Sequence, residues 1–126
     1  MSVLGVGTDL VAVARMAALH ERYGERLARR LLAPAEREAY RASPAPAALL
    51  ARRFAAKEAA AKALGTGIGA HAAFTDIELV HDPAGAPQLR LHGAAARHAE
   101  TLGVRRSHVS LSDERDYALA FVVLED

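Results

Sequence analysis

Glu58 and Lys62 stand four residues apart in the run Arg53-Phe-Ala-Ala-Lys-Glu-Ala-Ala-Ala-Lys-Ala-Leu-Gly-Thr-Gly-Ile-Gly69, and an i,i+4 spacing puts carboxylate and ammonium on one face of a helix. Gly65 falls on the same face one turn further on. It ends the helix and opens a loop whose glycines allow backbone N–H groups to converge on an anion. Acid before base at this spacing is also the ordinary decoration of a solvated helix face, a weak ion pair with no chemistry attached. The loop lies at a helix C-terminus, where the macrodipole disfavours phosphate, so an anion bound there needs Lys62, Arg53 or a metal ion beside it. It is not a Walker loop, because no Gly-Lys-Ser/Thr leads into a helix.

Asp9 follows the apolar stretch Val3-Leu-Gly-Val6. It can cap a helix beginning at Leu10 or serve as a ligand to a hard cation, which takes one or two carboxylates and leaves its other positions to water and phosphate. Arg15, Arg22, Arg26, Arg29 and Arg30 crowd the first quarter of the chain. Such a run forms a solvated basic surface or a docking face for an acidic helix or an RNA backbone, since arginine pairs bidentately with carboxylates and phosphates. None of the 6 histidines forms a helical metal pair with a third ligand nearby, and His108 is expected to be a hydrogen-bonded strand residue.

The elements that must position these groups follow from periodicity. Val3 to Val6 reads as a short buried strand ending in a turn at Gly7, and Val13, Met16, Leu19 and Tyr23 recur at helical steps from about Leu10 to Tyr23. Leu27, Leu31 and Leu32 resume the apolar stripe after Gly24 while the arginines point away. Pro34 and Glu36 mark a fresh helix start, and Ser43-Pro-Ala-Pro46 links to the long alanine helix from about Ala47 to Leu64. Phe74 to His81 and the stretch around Leu89 and Leu91 form a hairpin about Asp82-Pro-Ala-Gly-Ala86. A helix from about Ala94 to Leu102 ends at Gly103. His108 to Ser112 and Tyr117 to Leu124 alternate as strands, with Leu119, Phe121 and Val123 expected to face the core. Hairpin strands without regular crossover helices predict an α+β fold, an antiparallel sheet packed against the long helix.

At 126 residues with 52% hydrophobic content, the chain is expected to be a single domain spanning residues 1–126. The absence of cysteine excludes disulfides and thiolate zinc sites and suits a reducing cytoplasm. An acid as early as Asp9 argues against a signal peptide, and no apolar run approaches the roughly 20 residues of a membrane span. A net charge of +1 and 5% aromatic content count against nucleic-acid coating and base stacking. A non-catalytic module whose arginines hold RNA or a phosphoprotein is the alternative these residues leave open.

Three segments together resemble the holo-[acyl-carrier-protein] synthases, the small bacterial 4′-phosphopantetheinyl transferases: Gly5-Val-Gly-Thr-Asp-Leu-Val11, Arg53 to Ile68, and His108-Val-Ser-Leu-Ser-Asp-Glu-Arg-Asp-Tyr-Ala118. The resemblance runs nearly from end to end. It implies an enzyme of fatty acid biosynthesis that moves the phosphopantetheine arm of coenzyme A to a serine of apo-acyl carrier protein and releases adenosine 3′,5′-bisphosphate; carriers of polyketide or peptide synthetases are the alternative acceptors. Carried over by position, Asp9 and Glu58 become magnesium ligands and Lys62 a phosphate holder. Glu58 or a metal-bound water becomes the base. Gly65, Thr66 and Gly67 would line the coenzyme A site, with Arg53 a phosphate contact. Arg15, Arg22, Arg26 and Arg30 occupy the region that docks the acidic helix of the carrier, and a homotrimer with sites between subunits is implied. Many relatives have histidine at the place of Asp113; an aspartate there would repel a phosphate and is expected to point away or pair with Arg115.

Overall fold

The computed structural model describes residues 1–126. The chain opens with strand β1 (Val3–Ala12), followed by helices α1 (Val13–Tyr23) and α2 (Glu25–Leu31) on either side of Gly24. A 3₁₀ turn at Pro34–Glu36 leads into α3 (Arg37–Ala42), and the long helix α4 (Pro46–Leu64) comes next. Hairpin β2 (Ile77–His81) and β3 (Pro87–Leu91), helix α5 (Gly93–Leu102) and strands β4 (Arg106–Asp113) and β5 (Tyr117–Glu125) complete it. The predicted α+β architecture is present. The strands divide into a three-stranded antiparallel sheet in the order β1-β5-β4 and a separate two-stranded hairpin β2-β3. No helix is long and apolar enough to cross a membrane.

Strand β1 is longer than its sequence suggested. Gly7 does not turn the chain: pairing with β5 runs on through Asp9↔Ala120 to Ala12↔Tyr117, and the first helix starts at Val13. Asp9 is therefore a mid-strand residue and caps nothing. The glycines serve a different purpose. A methyl group on Gly5 would lie 1.9 Å from the Ala63 carbonyl oxygen, and one on Gly7 would lie 1.9 Å from that of Ala59. Strand and helix thus meet backbone to backbone, which bare glycines on one side and alanines on the other permit.

The same closeness corrects the facing of β5. Ala118, Ala120, Val122 and Leu124 are the buried residues of that strand, whereas Leu119 and Phe121 are exposed and Val123 is half-buried. The period of two was read correctly and the phase was not. Ala118, Ala120, Val122 and Leu124 form the inner face toward α4, and Leu119 and Phe121 are turned to the other face. Val6 and Leu10 of β1 join them, exposed at 57% and 62%.

On its other side α4 is held by charge. Glu36, 2% exposed, accepts hydrogen bonds on one carboxylate oxygen from Lys57 Nζ (2.5 Å) and the Ala33 amide (2.9 Å). The second oxygen accepts from Arg53 (2.9 Å) and the Leu79 amide (3.4 Å). Lys57 also donates to the Phe74 carbonyl and Arg53 to that of Leu79. Burial pushes the Lys57 pKa down, against the pull of the Glu36 charge. Every polar atom named here has a partner, as burial demands.

Gly7→Ala should therefore force β1 off α4. Overpacking of this kind costs about 1–3 kcal/mol, and more where the obstacle is backbone. Urea denaturation followed by circular dichroism should show a lowered midpoint with an unchanged slope; an unaltered midpoint would contradict the packing just described.

Candidate active site

Asp9 lies on the face of β1 that meets α4, in phase with Gly5 and Gly7, and Glu58 projects from α4 one residue before Ala59. The helix geometry brings Lys62 to the same edge. The i,i+4 ion pair between Glu58 and Lys62 does not form. Lys62 instead reaches across to the strand, donating to the Thr8 carbonyl at 2.9 Å and to Asp9 Oδ1 at 3.2 Å. Glu58 forms no hydrogen bond or salt bridge of its own, although it is only partly exposed.

Burial first, and then the negative charge of Asp9, raise the Glu58 pKa from its ordinary value, while Lys62 and Arg15 pull it down. The sign of the consequence is fixed: a carboxyl whose folded pKa exceeds its unfolded one costs stability as pH rises through that interval, because the fold then holds a charge it disfavours. A divalent cation between Asp9 and Glu58 would relieve that repulsion. No group of three or more His, Cys, Asp or Glu side chains is placed to hold a metal. Two carboxylates suit magnesium, which keeps water and phosphate oxygens in its remaining positions, and do not suit zinc with its three or four protein ligands.

The glycine loop behaves differently from the sequence expectation. Gly65 takes the left-handed conformation of a helix C-cap at φ 80°. Its amide donates to Lys62, those of Thr66 and Gly67 donate to the Ala61 carbonyl, and that of Gly69 donates to Ala72. These N–H groups are consumed by the cap and do not converge on an anion. Thr66 Oγ1 donates to Gly67. The loop shapes the edge beyond Lys62 without supplying those donors.

Two further expectations are corrected. Arg53 is 8% exposed and bound to Glu36 and Leu79, so it is not presented to a phosphate. Its position i–5 from Glu58 places it on another face of α4. Asp113 pairs with Arg52 at 3.4 Å, not with Arg115. Arg52, His81 and Asp113 border an open cleft of about 330 Å³ together with Gly85, Pro87 and Ser110. Sequence reading missed Arg52 and His81 because they come from α4 and β2, far apart in the chain. Burial, then Arg53 and Arg52, hold the His81 pKa below its ordinary value. His108 is the strand residue expected, bonded to Glu125 at 2.6 Å.

Among the arginines, Arg15 acts on Glu58 and so stands near the carboxylate pair. Arg22 and Arg26 sit over the Tyr23 ring at 5.3 and 5.7 Å. Arg26 and Arg30 border a cleft of about 470 Å³ floored by Leu19, Tyr23 and Leu27, a basic rim around an apolar floor. The missed pair Glu36 and Lys57 had one sequence signal: Arg53 and Lys57, two cations at i,i+4 on an alanine-rich helix, require a buried anion if that face is inside.

The family model described as the 4′-phosphopantetheinyl transferase superfamily matches residues 5–122. The holo-[acyl-carrier-protein] synthase of Halorhodospira halophila is 57% identical over 122 residues, 97% of each chain. That of Yersinia pestis is 54% identical over 125 residues, 99% of each. The crystal structure of the Neisseria meningitidis holo-[acyl-carrier-protein] synthase superposes with a TM-score of 0.94 at 41% identity, covering 99% of this chain and 100% of that one. The Helicobacter pylori enzyme in complex with coenzyme A superposes at 0.83 with 29% identity, covering 95% and 99%. The three segments, the fold and these matches agree, and the chain belongs to the 4′-phosphopantetheinyl transferase superfamily as an enzyme of the holo-[acyl-carrier-protein] synthase family.

Proposed function

We propose that this enzyme transfers the 4′-phosphopantetheine arm of coenzyme A to a serine of the apo-acyl carrier protein of fatty acid biosynthesis, as a magnesium-dependent, cytoplasmic homotrimer. The observation that carries the mechanism is the meeting of Asp9, Glu58 and Lys62 at one edge of the β1–α4 contact. Asp9 and Glu58 would hold the magnesium ion, whose charge offsets that of the pyrophosphate. Lys62, half-exposed and only lightly tied to Asp9, is free to swing to a phosphate oxygen once Asp9 is otherwise occupied. In the transfer the serine oxygen bonds to the phosphorus that carries the pantetheine arm, the bridging P–O bond breaks, and adenosine 3′,5′-bisphosphate leaves. The serine proton goes to a base within hydrogen-bonding reach, and the raised pKa of Glu58 suits a carboxylate that takes up a proton.

The carrier-docking reading rests on Arg26 and Arg30 around the apolar cleft, a form that fits an amphipathic helix with acidic flanks. Arg15 belongs with the carboxylates more than with this surface. Assembly is supported by the uncovered sheet face: Val6, Leu10, Tyr117, Leu119 and Phe121 are all large, apolar and exposed, and contiguous patches of this kind mark interfaces. Asp9 shares β1 with that face, so a neighbouring subunit packed there would help to wall the site.

Three outcomes test this. Incubated with coenzyme A and magnesium, the enzyme should increase the mass of apo-carrier by one phosphopantetheine, and Glu58→Gln should slow this by about 100-fold or more, the scale of lost acid–base function; no mass change with the unaltered enzyme would sink the proposal. Reversing both rim charges, Arg26→Glu with Arg30→Glu, should raise the KM for carrier by about tenfold and leave that for coenzyme A near its original value, the signature of lost uniform binding. Phe121→Asp should convert trimer to monomer in analytical ultracentrifugation, and a trimer that survives it would place the interface elsewhere.

A further inference from the structure

The buried trio of Glu36, Arg53 and Lys57 touches none of the groups assigned to the reaction, yet Lys57 immediately precedes Glu58. Arg53 and Lys57 stand at i,i+4 on the inner face of α4 and converge on one carboxylate, at 2.9 and 2.5 Å. That carboxylate is itself fixed by the amides of Ala33 and Leu79, one before the 3₁₀ turn and one in β2. These contacts tie one face of the helix to the 3₁₀ turn and to β2.

We propose that Glu36 is a positioning residue for the site: through Lys57, the chain neighbour of Glu58, it sets where Glu58 stands against Asp9. The inference rests on the metal-binding reading of Asp9 and Glu58 given above. Stability alone would not call for three buried charges, since well-packed apolar residues of similar volume serve as well or better. What charges add is direction. A helix with its side chains is about 10–12 Å across, so a rotation of roughly 10° moves a carboxylate on its rim by about 1 Å, and misplacement on that scale can cost about 100-fold in rate.

The test compares Glu36→Gln with a triple variant, Glu36→Met, Arg53→Met and Lys57→Met, that removes every charge of the trio. Manganese(II), a magnesium stand-in that carboxylates bind well, is titrated in the presence of coenzyme A and read by electron paramagnetic resonance, alongside thermal midpoint, kcat and KM. Glu36→Gln should lower the midpoint, and the triple variant should recover it. The triple variant should nonetheless bind manganese(II) at least about tenfold more weakly than the unaltered enzyme and lose at least about tenfold in kcat, with the KM for carrier little changed. Recovery of both midpoint and manganese(II) affinity would overturn the proposal and leave the trio a purely structural device. Should neither variant fold, Glu36→Asp keeps the charge but draws it back by one methylene: weakened manganese(II) binding in that folded protein supports positioning, and unaltered affinity refutes it. If the unaltered enzyme binds no manganese(II), it is the metal reading of Asp9 and Glu58 that fails.

Discussion

The contact of β1 with α4 is the constraint on which the rest of the structure depends. With no side chain at Gly5 or Gly7, the strand lies against the helix backbone, and a single added methyl at either position would occupy the space of a carbonyl oxygen. A sheet and a helix that packed through ordinary Leu and Val side chains would be separated by the thickness of those side chains. The carboxylates of Asp9 and Glu58 are short, and only the closer spacing lets them influence each other. Ala118 and Ala120, buried on β5, face the same helix.

Close packing alone does not orient a helix as smooth as this one. The middle of α4, with Ala55, Ala56, Ala59, Ala60 and Ala61 buried, presents a nearly featureless surface, so dispersion contacts there do little to fix its rotation. The ionic trio supplies the missing direction from the opposite side of the helix. Glu36 collects two cations from α4 and two amides from elsewhere. The two anchors differ in kind, one steric and one electrostatic, and between them leave Glu58 facing the strand.

How much of this was legible in the sequence depends on whether a signal was local. The helix limits of α4, its glycine stop, the hairpin and the strands β4 and β5 all follow from periodicity and turn chemistry within a few residues, and they stand where expected. The phase of β5 was misjudged because Leu119 and Phe121 were assigned to the core for their bulk, whereas the inner face is Ala118, Ala120, Val122 and Leu124 and those two side chains lie on the uncovered face. Gly7 was read as a turn for a similar reason: a glycine needed for lack of a side chain looks, in sequence, like a glycine needed for its φ angle. Asp9 and Glu58 were found through motif resemblance, and the Lys62–Asp9 contact that replaces the expected helical pair was invisible because its partners are 53 residues apart. Arg53 was assigned to a phosphate on the family resemblance; burial beside Glu36 gives it another task.

Strand β1 connects the chemistry to the uncovered surface. Its odd-numbered residues Gly5, Gly7 and Asp9 face α4, and its even-numbered residues Val6, Thr8 and Leu10 face outward beside Leu119 and Phe121 of β5. Adjacent residues of a strand point to opposite faces, so anything that packs on Thr8 and Leu10 comes within one residue of Asp9 along the chain. Lys62 already spans the boundary, since it bonds both the Thr8 carbonyl and the Asp9 carboxylate. A change in how the outward face is covered must therefore act on the backbone that carries Asp9. In this fold the exposed apolar face and the edge where Asp9 and Glu58 meet cannot vary independently, because one ten-residue strand serves both.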